Sequence, residues 1–515
     1  MSLRHGRSAT RRAALRVVQA AVMAWLAFSF VAQRNIGLAD NGDYTRVMGT
    51  ITSGPIGITA NWPEPGTADW SRRFFSHWLP YWRLDWPLES PRTSAVLLWI
   101  PGAGLSAAMM PPGVLWMPLL GAPIKIALLV LIGLLLAWIE RRAVRPLVST
   151  TVIAVPFALL VSTTDVVAYI NTFYREAASA VYLFAFIASL LWLRARPSTS
   201  PSASPRAGLC LILLALLMSA KPSNVYWGLI GAPLVFAAPT SGFTWRRGLY
   251  CVMVIAMLSA GALRLTSDYT NRTTVWDSLF SSALLASANP AAHLTRLGMP
   301  EASPCIGQPI FFGVGADCYQ RYRDRVTPLS TVSVLAREPL VAMRQLFIGF
   351  ASLHDLSIEW YGIEAAADTA DDTAGNAHVP SRPAIEGPAA ARFWGARSGR
   401  PLNVWSTLQY HVFPRGLLAV LLLLVLVPLW RTGARRGGIA ADLAAVGMVA
   451  SLAVPLDLVV EIGAEGVQDL IRHLFLANIL FAIIVIAAAG LAVELLLTTQ
   501  PAADHALSNR HLGTV

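Results

Sequence analysis

Leu38-Ala39-Asp40-Asn41-Gly42-Asp43-Tyr44-Thr45-Arg46 follows directly on the first long apolar segment of the chain. It sets two carboxylates three residues apart beside an amide and a guanidinium, at the mouth of what reads as a membrane helix. If the helix continues, the i, i+3 spacing puts both acids on one face, where a carboxylate can take the proton of an attacking hydroxyl. The other reading is a solvated turn, because Asn41-Gly42 is a strong turn signal.

Three more polar groups sit at comparable points. Asn171-Thr172-Phe173-Tyr174-Arg175-Glu176 comes after Asp165 and opens a later apolar run; it is either part of a site or a helix cap and anchor. Lys221, next to Pro222, is one of only two lysines in the chain, and its ammonium could either meet a lipid phosphate headgroup or simply anchor the helix at the interface. The second lysine, Lys125, lies within an apolar run, where a charge costs about 2.5–3.5 kcal/mol unless it faces a polar interior; the sequence gives it no role. The third group is Asp457, Glu461, Glu465 and Asp469, followed by Arg472-His473. Asp268, Asp277, His354, Asp355 and Glu359 are not singled out by any pattern. Moving a sugar from a polyprenyl phosphate to a hydroxyl needs a base for the acceptor proton and cations for the departing phosphate. These residue types fit that requirement if they meet at one depth.

The elements that would have to position them are membrane helices. The chain has 515 residues, 55% hydrophobic and 13% charged, with a mean hydropathy of +0.54, about half the charge of a soluble domain. A span needs about 20 mostly apolar residues, which places spans near 13–33, 114–138, 147–164, 171–193, 207–220, 224–238, 247–266, 414–430, 438–456 and 474–497. The net charge of +11 does not indicate nucleic acid. The arginines gather in alternate connections, at the N-terminus, at Arg141, Arg142 and Arg145, at Arg194, Arg196 and Arg206, at Arg246 and Arg247, and at Arg431, Arg435 and Arg436. By the positive-inside rule both termini are then cytoplasmic, and the N-terminal run is an uncleaved first span, too long for a signal peptide.

Two long regions fall outside. The first, about 33–112, holds Trp62, Trp70, Trp78, Trp82 and Trp86, suited to a membrane interface, and ends in an apolar stretch at 94–112. Pro101, Gly102 and Gly104 interrupt that stretch, which reads as an interfacial or re-entrant helix. Spans five and six, joined at Lys221-Pro222-Ser223-Asn224, are read as a pair; the alternative is one long broken helix. The second outside region, about 267–413, is long enough for a small domain, with a mobile stretch at 362–400. An oxidising compartment would let Cys305 and Cys318 close a small loop there; two free thiols are the alternative. The organisation expected is an N-terminal transmembrane catalytic module over 1–266, a loop domain over 267–413, and C-terminal helices and tail over 414–515.

The arrangement resembles the GT-C superfamily of polytopic glycosyltransferases. The matching parts are an N-in first helix, an acidic motif opening the first external loop (LADNGDYTRVM), a membrane-surface helix in that loop and a later external domain. NTFYREAA is similar to the second polar motif of bacterial members, and RHLFLAN to a motif before a late helix. NGDY together with RHLF resembles hexose transferases of surface-glycan or S-layer biosynthesis. The paired adjacent carboxylates of some members are absent, since Asn41 follows Asp40. The resemblance implies an all-α polytopic membrane protein of about ten transmembrane helices with two large extracytoplasmic loops, in a bacterial inner membrane. It implies an inverting hexosyltransferase, with Asp43, helped by Asp40, as base. Glu176 would orient sugar or acceptor, and Lys221, Arg175 and Arg472 would hold phosphate. His473 would hydrogen-bond sugar or phosphate, and Arg46 and Tyr174 would join substrate binding. Its partners would be a polyprenyl-phosphate-linked sugar, a glycan, lipid or protein acceptor, and membrane lipids, without nucleic acid. No metal site or cofactor is expected, with a divalent ion left open. The rival readings are a transporter or lipid flippase and a transferase of acyl or phosphoethanolamine groups.

Overall fold

The computed structural model describes residues 2–34, 37–38, 47, 49–55, 81–85, 93–195, 203–237, 245–264, 268–308, 313–356, 404–465 and 473–499. Its principal helices are α1 (Ser2–Ala32), α2 (Val96–Met109), α3 (Ala122–Arg142), α4 (Val155–Ser162), α5 (Thr164–Ile170), α6 (Arg175–Arg194) and α7 (Ala203–Ala220). They continue with α8 (Trp227–Ala237), α9 (Trp245–Arg264), α10 (Pro339–Ser352), α11 (Val404–Val412), α12 (Leu417–Ala434), α13 (Gly438–Glu465) and α14 (Phe475–Thr499). All ten apolar runs expected to span overlap helices, but the apolar helical stretches at 207–220, 224–238 and 247–266 are shorter than a bilayer crossing needs. Among the described residues six stretches are long and apolar enough to cross a membrane alone, within α1, α3, α6, α12, α13 and α14. Pro146–Ser162 and Thr164–Ile170 make a seventh that bends by 58° at Thr163, whose extended backbone ends one helix and caps the next.

The shorter helices explain themselves by length. With 14 residues and Pro101 inside it, α2 is too short to cross a bilayer, as the interfacial reading of 94–112 requires. The doubt over spans five and six resolves as a hairpin. Gly228 of α8 lies against Met218 of α7, and Gly231 against Leu214, so the second helix runs back along the first. Lys221 is therefore at the tip of a helical turn, not midway along one rod.

The helices sort charge between two faces. Arg142, Arg194, Arg206 and Arg431 lie on the face where α3, α6 and α12 end and α7 begins, whereas Glu176, Lys221, Glu461 and His473 lie on the opposite face. One apolar core runs through all of this.

A small antiparallel sheet adds to the helical plan. β2 (Tyr81–Leu84) lies between β1 (Thr52–Pro55) and β3 (Val114–Trp116). Because strand residues alternate between faces, Trp82 turns inward, is 1% exposed and meets Phe173 edge to face at 5.6 Å. It is a core residue, not the interface anchor its neighbourhood suggests. Trp62, Trp70, Trp78 and Trp86 and the stretch 362–400 lie outside the described residues.

Residues 268–352 build a second, smaller core around Trp276, Phe280 and Tyr319, and Cys305 and Cys318 are joined in a disulfide with Cα atoms 5.7 Å apart. This unit rests on the end of α13: Gly349 of α10 lies against Leu458 and Ile462, next to Glu461.

Candidate functional site

Lys221 is held by the way α7 ends. The last carbonyls of a helix have no partner within it, and here other segments supply the donors. Thr93 Oγ1 donates to the Ala220 carbonyl at 2.7 Å, Ser94 Oγ to that of Leu216 at 2.6 Å, and Asn224 Nδ2 to that of Leu217 at 3.0 Å. Asn224 also reaches Ser179 Oγ of α6 at 2.8 Å. Pro222, which has no N–H, starts a 3-10 turn over Pro222–Tyr226 that leads into α8. The end of the first loop, the hairpin tip and α6 are thus stitched together, and Lys221 projects from the seam.

Its ammonium meets acids from two other helices. Nζ is 2.8 Å from Glu461 Oε1 and 3.5 Å from Glu176 Oε1. His473 Nδ1 lies 3.4 Å from the same nitrogen and 3.9 Å from Glu461 Oε2. Asp457, one turn before Glu461 on α13, interacts electrostatically with Lys221 and faces the Tyr226 hydroxyl. Lys221, Glu176, Glu461, Asp457 and His473 are all at most 5% exposed. Three carboxylates therefore gather around one lysine in a buried cluster. Such an acid-rich centre is suited to fixing hydroxyl groups and holding a proton. Lys221, expected at a phosphate, is engaged with carboxylates.

The sequence-predicted residues Tyr174, Arg175, Glu176, Lys221 and His473 are brought to one place. Tyr174 packs on Tyr169 at 5.8 Å, and Tyr169 on Phe475 at 4.1 Å, so an aromatic chain ties the start of α6 to the start of α14, where His473 stands. Asp40, Asp43, Arg46 and Arg472 lie outside the described residues. The described chain on either side of the acidic motif is anchored: Gln33 Nε2 donates to the Ser162 carbonyl at 2.9 Å, Asn171 Nδ2 to that of Gln33 at 3.0 Å, and Leu38 and Val47 are fully buried. Asn171, four residues before Arg175, thus holds the end of α1 beside the start of α6.

A second buried polar patch adjoins this one and was not singled out by sequence. Ser406 of α11 donates to Asp165 and shares a hydrogen bond of 2.7 Å with Thr163. Asp355, in the segment after α10, interacts electrostatically with Asp165, and Asn478 of α14 donates to its carbonyl at 2.9 Å. Asp165 and Asp355 are 2% and 4% exposed. Partners 190 positions apart leave no local signal. Asp457 and Glu461 do leave one, as acids at i, i+4 inside an apolar run. Among the described residues no group of three or more His, Cys, Asp or Glu is arranged to hold a metal ion.

A family model, YfdI N-terminal transmembrane domain, matches residues 4–362. The match takes in Tyr174, Arg175, Glu176 and Lys221; Asp457, Glu461 and His473 lie beyond it. No curated protein and no solved structure matches the chain.

Proposed function

The chain belongs to the YfdI N-terminal transmembrane domain family, and from that premise we propose that it is a membrane glycosyltransferase. It moves a hexose from a polyprenyl phosphate to a glycan, lipid or protein hydroxyl at the extracytoplasmic face. The observation that carries this reading is the gathering of Glu176, Lys221, Asp457, Glu461 and His473, from three separate parts of the chain, in one buried centre on one face. The resemblance of LADNGDYTRVM, NTFYREAA and RHLFLAN to GT-C motifs supports it. The arginine-rich opposite face supports a cytoplasmic assignment for that side, and the Cys305–Cys318 disulfide suits an oxidising compartment on the site's side.

In the proposed reaction the acceptor hydroxyl gives its proton to Asp43, with Asp40 beside it, as its oxygen bonds to the anomeric carbon. The bond from that carbon to the phosphate oxygen breaks, and its electron pair leaves with the polyprenyl phosphate. Configuration inverts because attack and departure are on opposite sides. Lys221 fixes Glu461 and Glu176 as acceptors for sugar or acceptor hydroxyls, a preorganised arrangement of the kind that positions reactants.

The test is transfer by purified protein in vesicles supplied with a polyprenyl-phosphate hexose. Asp43→Asn should remove turnover while membrane insertion is kept. Normal turnover in both Asp43→Asn and Asp40→Asn would refute the mechanism. Lipid movement without covalent product would point to a flippase.

A further inference from the structure

Both lysines of this arginine-rich chain are buried at the same face, and their surroundings are opposite. Lys221 is enclosed by carboxylates. Lys125, in the first turn of α3, is 8% exposed, yet among the described residues it has no acid, hydrogen-bond acceptor or aromatic ring as partner. Its position is fixed by the residue one turn earlier. At Gly121 the backbone approaches α5 so closely that a Cβ would lie 2.6 Å from the Ile170 carbonyl and 3.1 Å from Asn171 Oδ1. Residues four apart share a helix face, so Lys125 lies about one turn, roughly 5.4 Å, deeper than Asn171, on the flank where α3 packs against α6. That flank leads to Tyr174, Arg175 and Glu176. Above it Gly102 of α2 abuts the Leu120 backbone, so the interfacial helix passes over the mouth of α3.

An ammonium with no counter-charge inside a membrane domain is an unfavourable arrangement that persists where it serves function. We infer that Lys125 is the counter-ion for the phosphate of the lipid donor, seated beneath α2, and that Lys221 organises the acid centre instead. This rests on the glycosyltransferase reading and deepens it. The charge that grows on the phosphate oxygen as the anomeric bond breaks is met by a compact, rotatable point charge. The donor is thereby divided: its phosphate lies at α3 and α6, and its sugar extends toward Glu176 and Glu461.

The experiment uses the full chain in phosphatidylcholine nanodiscs, titrated with polyprenyl phosphate lacking the sugar, with polyprenol, with phosphatidylglycerol and with inorganic phosphate. Binding is read by tryptophan fluorescence and native mass spectrometry. The expected result is that Lys125→Met weakens polyprenyl phosphate binding by at least about tenfold, the scale of a charge-assisted hydrogen bond, and leaves polyprenol binding unchanged, while Lys125→Arg stays within about threefold of the native chain. The ligand-free Lys125→Met protein should melt no lower than the native one, which separates lost binding from lost fold. Equal polyprenyl phosphate affinity in native and Lys125→Met proteins would overturn the inference and leave the sugar-transfer reading intact. A native protein that binds no polyprenyl phosphate would overturn both. A Lys125-dependent affinity for inorganic phosphate or phosphatidylglycerol that equals or exceeds that for polyprenyl phosphate would overturn the donor as its source.

Discussion

The two faces of the membrane domain use charge differently. On the arginine face, each ion pair keeps its cation in contact with water: Arg142 pairs with the buried Asp442 at 2.9 Å with a third of its own side chain exposed, and Arg16 reaches Glu140 at 3.0 Å while 70% exposed. On the opposite face, Lys221 is shared among Glu461, Glu176 and Asp457, all buried. Exposed pairs contribute little to stability and hold topology. A buried cluster with acid in excess is costly to assemble and is weak evidence for stability as such, so its presence points to chemistry.

This contrast gives a graded set of expectations. Lys221→Met leaves three carboxylates buried without their cation and should destabilise the protein by about 3–5 kcal/mol, seen as a lower melting temperature in detergent, together with loss of transfer. A neutral shift there would erase the distinction between the faces. Arg142→Met removes the ion-pair partner of Asp442 but leaves Arg194 and Trp138 beside it, and should lower stability by about 1–3 kcal/mol with transfer preserved. Arg16→Ala should change stability by less than about 1 kcal/mol. Glu338 sharpens the comparison from the disulfide-bearing unit. It accepts hydrogen bonds from Ser287 and the Ala288 amide and contacts His293, and the first two of these hold its carboxyl down at about 2 from the usual 4.5. Since the folded value is depressed, the clip's contribution is full above about pH 4.5 and fades as pH falls toward about 2. The protection factor of the Ala288 amide should fall as pH drops across that interval and stay flat in Glu338→Gln.

Much of the fold was legible because spans write themselves as apolar length and arginine alternation, though the apolar helical stretches at 207–220, 224–238 and 247–266 are shorter than a crossing needs. What the sequence could not convey was pairing across distance. The hairpin at Lys221 depends on Met218 meeting Gly228, and the Asp165–Asp355 patch on a return of the chain after the disulfide-bearing unit. Nor did it separate the two lysines, since a residue's counter-charges come from other helices. The inward turn of Trp82 was hidden for a similar reason: it follows from strand pairing with Val114–Trp116, not from its tryptophan-rich neighbourhood.

The central claim is that the acid cluster around Lys221 is a reaction centre. The most direct measurement is the rate of hexose transfer by Glu176→Gln against the native chain, at matched insertion and melting temperature. A loss of about a hundredfold is expected, the scale of a misplaced substrate. Equal turnover in the variant, with the native chain active, would contradict it.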